Sequence, residues 1–195
     1  MAKILVTGMS GTGKSSTLGM LSQRGHRVVD TDTEEWSHWV ASPDGAPDWI
    51  WREQAIADLL STHRSGHLFV GGCKTNQGKF YSRLGHVALL SAPADVLLAR
   101  IAARTNNPYG KLPDEREQIL RHLAEVEPLL RATEMVVIDA SAPLSQVVRM
   151  LADLAGQTRR AAVLDSSRQQ EPAIRLRTLV PRTVSLLRSW LPQCA

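Results

Sequence analysis

Between residues 3 and 155, short apolar runs alternate with segments whose apolar positions recur every three to four residues. The runs are "KILVTG", "RVVDTD", "HLFVGG", "HVALLS" and "MVVID". Largely continuous rather than alternating hydrophobicity marks strands buried on both faces. Between them the helical period predicts helices over residues 14–24, around Trp49–His63, around Ala94–Arg104, from Asp114 to about Arg131 and around Leu144–Ala155. A short polar helix or loop is expected after Gly72. Strands regularly separated by helices predict an α/β fold, a five-stranded parallel sheet with helices on both faces. No internal repeat is present.

The first run leads directly into "GMSGTGKSS", which fits G-x-x-x-x-G-K-[ST] with Gly8, Gly13, Lys14 and Ser15 in the fixed places. A strand precedes this stretch and a helix follows it. Unpaired N–H groups at the helix N-terminus and the positive end of its dipole form a cradle for oxyanions, and glycines allow close backbone approach. Gly8, Ser10, Gly11, Thr12, Gly13, Lys14, Ser15 and Ser16 are therefore the expected ATP-binding loop. Lys14 is expected to neutralise the β- and γ-phosphates, and Ser15 to place its hydroxyl on magnesium.

The second run ends in Asp30 and Asp32. At i, i+2 on an extended chain both carboxylates point to one side, and the strand ends of such a sheet share one crevice. One acid, Asp30, is expected at the magnesium site. The other, Asp32, is expected to accept a proton from an incoming hydroxyl.

Composition narrows the setting. No apolar stretch approaches the roughly 20 residues of a membrane span, and the N-terminus enters the first strand without a signal sequence, so a cytoplasmic protein is expected. Cys73 and Cys194 suggest neither a disulfide framework nor a metal cluster. The formal charge of +4 is uneven: residues 1–156 hold 16 basic and 17 acidic side chains, whereas residues 157–195 hold 7 arginines against Asp165 and Glu171. The main domain, 1–156, thus lacks the electrostatic footprint of nucleic-acid binding. The basic tail reads either as a poorly ordered segment with one helix or as an amphipathic contact for a partner or anionic surface.

With "DTD" at Asp30-Thr31-Asp32, the chain resembles the shikimate kinase branch of the P-loop small-molecule kinases. That resemblance implies a three-layer kinase fold with a short lid, ATP and Mg2+ as cofactors, and Asp32 as the base. It also implies that "WRE" presents Arg52 to substrate and that Gly71-Gly72 lies against substrate, although Cys73 stands where the family has a third glycine. The second half resembles adenylate kinases and related nucleotide kinases. "APADVLLARIAAR" implies that Arg100 stacks on adenine and that Arg104 reaches the phosphates, and the following helix implies an inward catalytic Arg121, with Arg116 as the alternative register.

The lid is expected over about 105–114, with Lys111 either steadying the transferring phosphoryl group or lying in an ordinary turn. The substrate lobe is expected over about 33–66, where Trp36, Trp39, Trp49 and Trp51 could stack a ring or form a local core. The expected function is phosphoryl transfer from ATP to a small-metabolite hydroxyl. Two alternatives stand beside it, a nucleoside or nucleoside monophosphate kinase and a non-kinase nucleotide-binding module or regulatory ATPase.

Overall fold

The computed structural model describes residues 1–42, 45, 47–133 and 135–157. The basic tail, apart from Gln157, lies outside the described residues. In chain order the elements are β1 (Lys3–Thr7), α1 (Lys14–Gln23), β2 (Arg27–Asp30), β3 (Ser37–Ala41), β4 (Pro47–Trp51), α2 (Glu53–Thr62), β5 (Leu68–Gly71), a 3₁₀ helix (Gln77–Arg83), β6 (His86–Ser91), α3 (Ala94–Ala103), α4 (Pro113–Glu125), α5 (Glu127–Arg131), β7 (Val136–Asp139) and α6 (Leu144–Gly156). The five expected strands form one parallel sheet in the order β2-β5-β1-β6-β7. The three central strands are almost wholly buried, and β2 and β7 form the more exposed edges.

Helices cover both faces, and the alternation along β1 divides the core. Ile4 and Val6 pack with Leu18 and Leu21 of α1 and with Val148 and Leu151 of α6. Leu5 faces the other way, onto Ile56 and Leu60 of α2 and Phe80 of the 3₁₀ helix. Each such fully buried aliphatic side chain contributes about 1.5–3 kcal/mol, so residues with both neighbours apolar hold the sheet in place. Among the described residues no helix is long and apolar enough to cross a membrane.

Two predicted helices are corrected. The expected helix around Trp49–His63 begins only at Glu53; before it, Pro47–Trp51 pairs antiparallel with Ser37–Ala41. The "PDWIW" segment is rich in β-formers, and Trp39 lies opposite Trp49 with ring centroids 5.0 Å apart, a cross-strand aromatic pair that favours a hairpin over a helix. The expected helix from Asp114 to Arg131 is divided into α4 and α5 at Val126. Pro128 has no N–H for a continuous helix and instead occupies the first turn of α5.

Candidate active site

The phosphate loop joins β1, at the centre of the sheet, to α1. Gly13 occupies the cap position of α1 with φ 86°, without a side-chain cap and without an acid in the first turn, which leaves the helix N–H groups to an anion. Thr12 Oγ1 donates to Met9 O at 2.8 Å and braces the loop from within. Gly8, with φ 144°, runs against β6, where a Cβ would overlap Leu90 O. Lys14 Nζ donates to Gly8 O at 2.6 Å and Met9 O at 3.1 Å, so its charge is held by the loop's own carbonyls.

The carboxyl end of β2 meets this loop. Ser15 Oγ donates to Asp30 Oδ2 at 2.9 Å, and Asp30 Oδ1 accepts the Asp32 N–H at 3.2 Å. Lys74 completes the group. Its side chain is 1 % exposed, it forms an ion pair with Asp32, and its ammonium lies 5.8 Å from the Trp49 ring. No motif marks Lys74 in the sequence; the available signal was the break in the expected glycine triplet at Cys73. The segment carrying Lys74 is clasped to the hairpin: Thr75 Oγ1 donates to Asp48 at 2.6 Å, and the Asn76 side chain exchanges bonds of 3.1 and 3.0 Å with the Trp51 backbone. Burial pushes the Cys73 thiol up from its ordinary range despite the opposing charge of Lys14, keeping it neutral.

On the opposite side of the loop, Arg100 comes from α3 and Arg104 from the position that caps its end, while Ala140, Ala142, Leu144 and Val147 come from the turn after β7 and the start of α6. Together with Asp32, Cys73, Lys74, Tyr109 and His122 they line a cleft of about 410 Å³ over the phosphate loop. Arg104 Nη2 donates to Tyr109 O at 2.6 Å and to Ser10 Oγ at 3.4 Å, linking the expected lid segment to the loop. Asp139, at the end of β7, is held below the usual carboxylate range by hydrogen bonds from Ser141 and, more weakly, by Arg100.

Several expected residues lie elsewhere. Lys111 donates to Ile101 O, Ala102 O and Arg104 O at 2.7, 2.6 and 2.8 Å, capping the C-terminal carbonyls of α3 rather than facing the cleft. Arg121 is exposed and pairs with Glu117 at 3.4 Å, while the neighbouring His122 lines the cleft. The alternative, Arg116, is exposed and donates to Gly110 O at 3.2 Å. Arg52 does stand in front of α2, but it is exposed and donates to Glu34 O at 2.9 Å, outside the cleft lining. Gly71 and Gly72 are also outside the lining, and a side chain at either would force a neighbour to shift. A Cβ on Gly71 would overlap Leu18 Cδ1, and one on Gly72 would overlap Thr31 Oγ1, which accepts the Trp51 Nε1 hydrogen bond at 2.7 Å.

The donor set fits magnesium-bound ATP. Ser15 and Asp30 offer oxygen ligands side by side, the hard donors that a cation shared with phosphate oxygens takes.

A family model described as AAA domain (AAA_18) matches residues 4–121. The chain belongs to this family. Among curated relatives, the shikimate kinase of Rhodopseudomonas palustris is 29% identical over 155 residues, covering 74% of this chain and 76% of its own. That of Halorhodospira halophila is 28% identical over 170 residues, covering 80% and 95%. Among solved structures, the shikimate kinase of Bacteroides thetaiotaomicron superposes with a TM-score of 0.57 at 20% identity over 80% of this chain and 99% of that one. The shikimate kinase of Acinetobacter baumannii in complex with shikimate gives 0.56 at 19%, over 79% and 92%. The AAA-family chain is thus a P-loop kinase in fold and a phosphotransferase in class, as its phosphate loop and alternating strands and helices led one to expect.

Proposed function

We propose that this kinase transfers the γ-phosphoryl group of ATP to a hydroxyl of a small metabolite, with Asp32 as the general base. The observation that carries this reading is the placement of Asp32 on the wall of the cleft whose floor is the phosphate loop. The N–H groups of residues 8–16 and the Lys14 ammonium would hold the phosphates, and Arg104, already bonded to the loop at Ser10, would meet charge spreading onto the transferring group. Ser15 and Asp30 would hold magnesium, whose chemistry when bound is to neutralise phosphate charge. Arg100 and the apolar residues following β7 would receive the base. The acceptor oxygen forms its bond to the γ-phosphorus as the bond to the β-phosphate oxygen breaks, and the hydroxyl proton passes to the Asp32 carboxylate. Transfer of label from γ-labelled ATP into pooled metabolites tests the reading. An ATPase whose label always ends in inorganic phosphate, whatever the pool supplied, would refute it.

A further inference from the structure

The acceptor end of the cleft has an unexpected charge pattern. In the sheet order β2-β5-β1-β6-β7 the phosphate loop follows the central strand. Asp32, Cys73 and Lys74, which follow β2 and β5, therefore lie to one side of it. Arg100 and the residues after β7 lie to the other, where the nucleotide base belongs. Among the described residues, the ammonium and guanidinium groups lining the cleft are Lys14, Lys74, Arg100 and Arg104. Lys14 sits within the loop, and Arg104 is bonded to the loop and the lid segment. Lys74 is thus the cation at the acceptor end.

That cation is already compensated. A buried, unpaired ammonium would be strongly unfavourable, and Asp32 is the hydrogen-bond acceptor that Lys74 reaches among the described residues. Cys73 beside the pair is a neutral thiol. Arg52, the residue expected to grip an anion, is exposed and bonded to Glu34 O. Arg52 also lies outside the cleft lining, so an acceptor carrying a carboxylate would find no uncompensated cation among the residues that line this end of the cleft. It would have to pull Lys74 away from Asp32, leaving two carboxylates near the γ-phosphate.

We infer that the acceptor is an uncharged polyol, a sugar, alditol or cyclitol, and that the Asp32–Lys74 pair reads two neighbouring hydroxyls of it. The inference rests on the reading of Asp32 as the base. A carboxylate has up to four acceptor sites and an ammonium three donors, so each partner keeps capacity after pairing. One hydroxyl donates to Asp32 and becomes the nucleophile. An adjacent hydroxyl accepts from Lys74, and the ion pair survives binding. Lys74 is then a specificity-determining residue, favouring neutral diols over the carboxylate acceptors that its shikimate kinase relatives' name implies.

The test uses the full-length protein with magnesium and ATP, and reads acceptor-dependent ADP release. One panel holds neutral aldoses, alditols and inositols, the other shikimate and gluconate. The expected result is acceleration of about tenfold or more by at least one neutral member and none by the carboxylates. Lys74→Met should then raise the KM for that polyol by about tenfold or more while the KM for ATP stays within about twofold, and an analogue lacking the hydroxyl beside the nucleophile should lose as much against the wild type but little more against the variant, a coupling that a merely structural lysine would not produce. Preference for a carboxylate acceptor overturns the inference and leaves the kinase reading standing, as does an unchanged polyol KM in a folded Lys74→Met variant. Should that variant be insoluble, the wild-type panels alone decide between the two classes. If neither panel nor a metabolite pool accepts label, the kinase reading fails and this inference fails with it.

Discussion

The two ends of the cleft are built in different ways. At the end proposed to hold the nucleotide, the groups are mostly backbone N–H groups and side chains of one contiguous stretch, residues 8–16, placed by a strand, a turn and a helix start. At the end proposed for the acceptor, Asp32, the hairpin residues Asp48–Trp51 and the segment Cys73–Asn76 come from three separate parts of the chain. Phosphate is the same in every nucleotide, so a local backbone cradle serves it. An acceptor differs from kinase to kinase, and its site depends on which side chains the fold brings together.

The sharpest test of this contrast is Lys14→Ala, which should cut turnover by about a thousandfold or more and weaken ATP binding, since it removes the fixed cation of the loop. Retention of wild-type turnover would break the nucleotide half of the comparison. At the other end, Asp32→Asn should lower transfer by roughly two to four orders of magnitude while ATP affinity, measured by calorimetry, stays near normal. If both fell together, Asp32 would belong to the nucleotide end.

Smaller effects sharpen the boundary. Gly72→Ala would push a methyl group into Thr31 Oγ1 and disturb the Trp51–Thr31 hydrogen bond. It should cost about 1–3 kcal/mol in denaturant unfolding and raise the acceptor KM more than the ATP KM. A change in ATP KM alone would show that the hairpin serves the nucleotide instead. Lys111→Met removes three charged bonds from the end of α3 and should cost about 1–2 kcal/mol, with a modest loss of turnover. A collapse of kcat with unchanged stability would return Lys111 to a catalytic role. The smallest expected effect is that of removing residues 158–195, which should leave turnover within about twofold, because the phosphate loop, the cleft lining and the described sheet with its helices all lie before residue 158.

The misplaced expectations lie mainly where distant segments meet or where a local choice is decided by distant contacts. Arg52 was placed correctly before a helix, yet the hairpin turns its guanidinium to Glu34 and away from the cleft lining. Arg121 lies one residue from His122, which does line the cleft; on a helix that single step turns a side chain by about 100°. Residues Trp49–Trp51 read as the start of a helix because the helical period of the segment that follows is carried back over them. They join a hairpin instead because Trp39 and Trp49 pair and Trp51 finds Thr31.

By itself, the sequence determined the five strands and their parallel arrangement, the phosphate loop, and the Asp30–Ser15 pair beside it. Hydrophobic period, glycine placement and the N–H groups of a helix start act over a few residues, so they are legible along the chain. Only the tertiary structure decided that Lys74 would be buried against Asp32, that Lys111 would cap α3, and that Gly72 would make room for Thr31 and Trp51. Those outcomes depend on charges and volumes meeting across tens of residues, where burial, which no local pattern encodes, sets the strength of each contact.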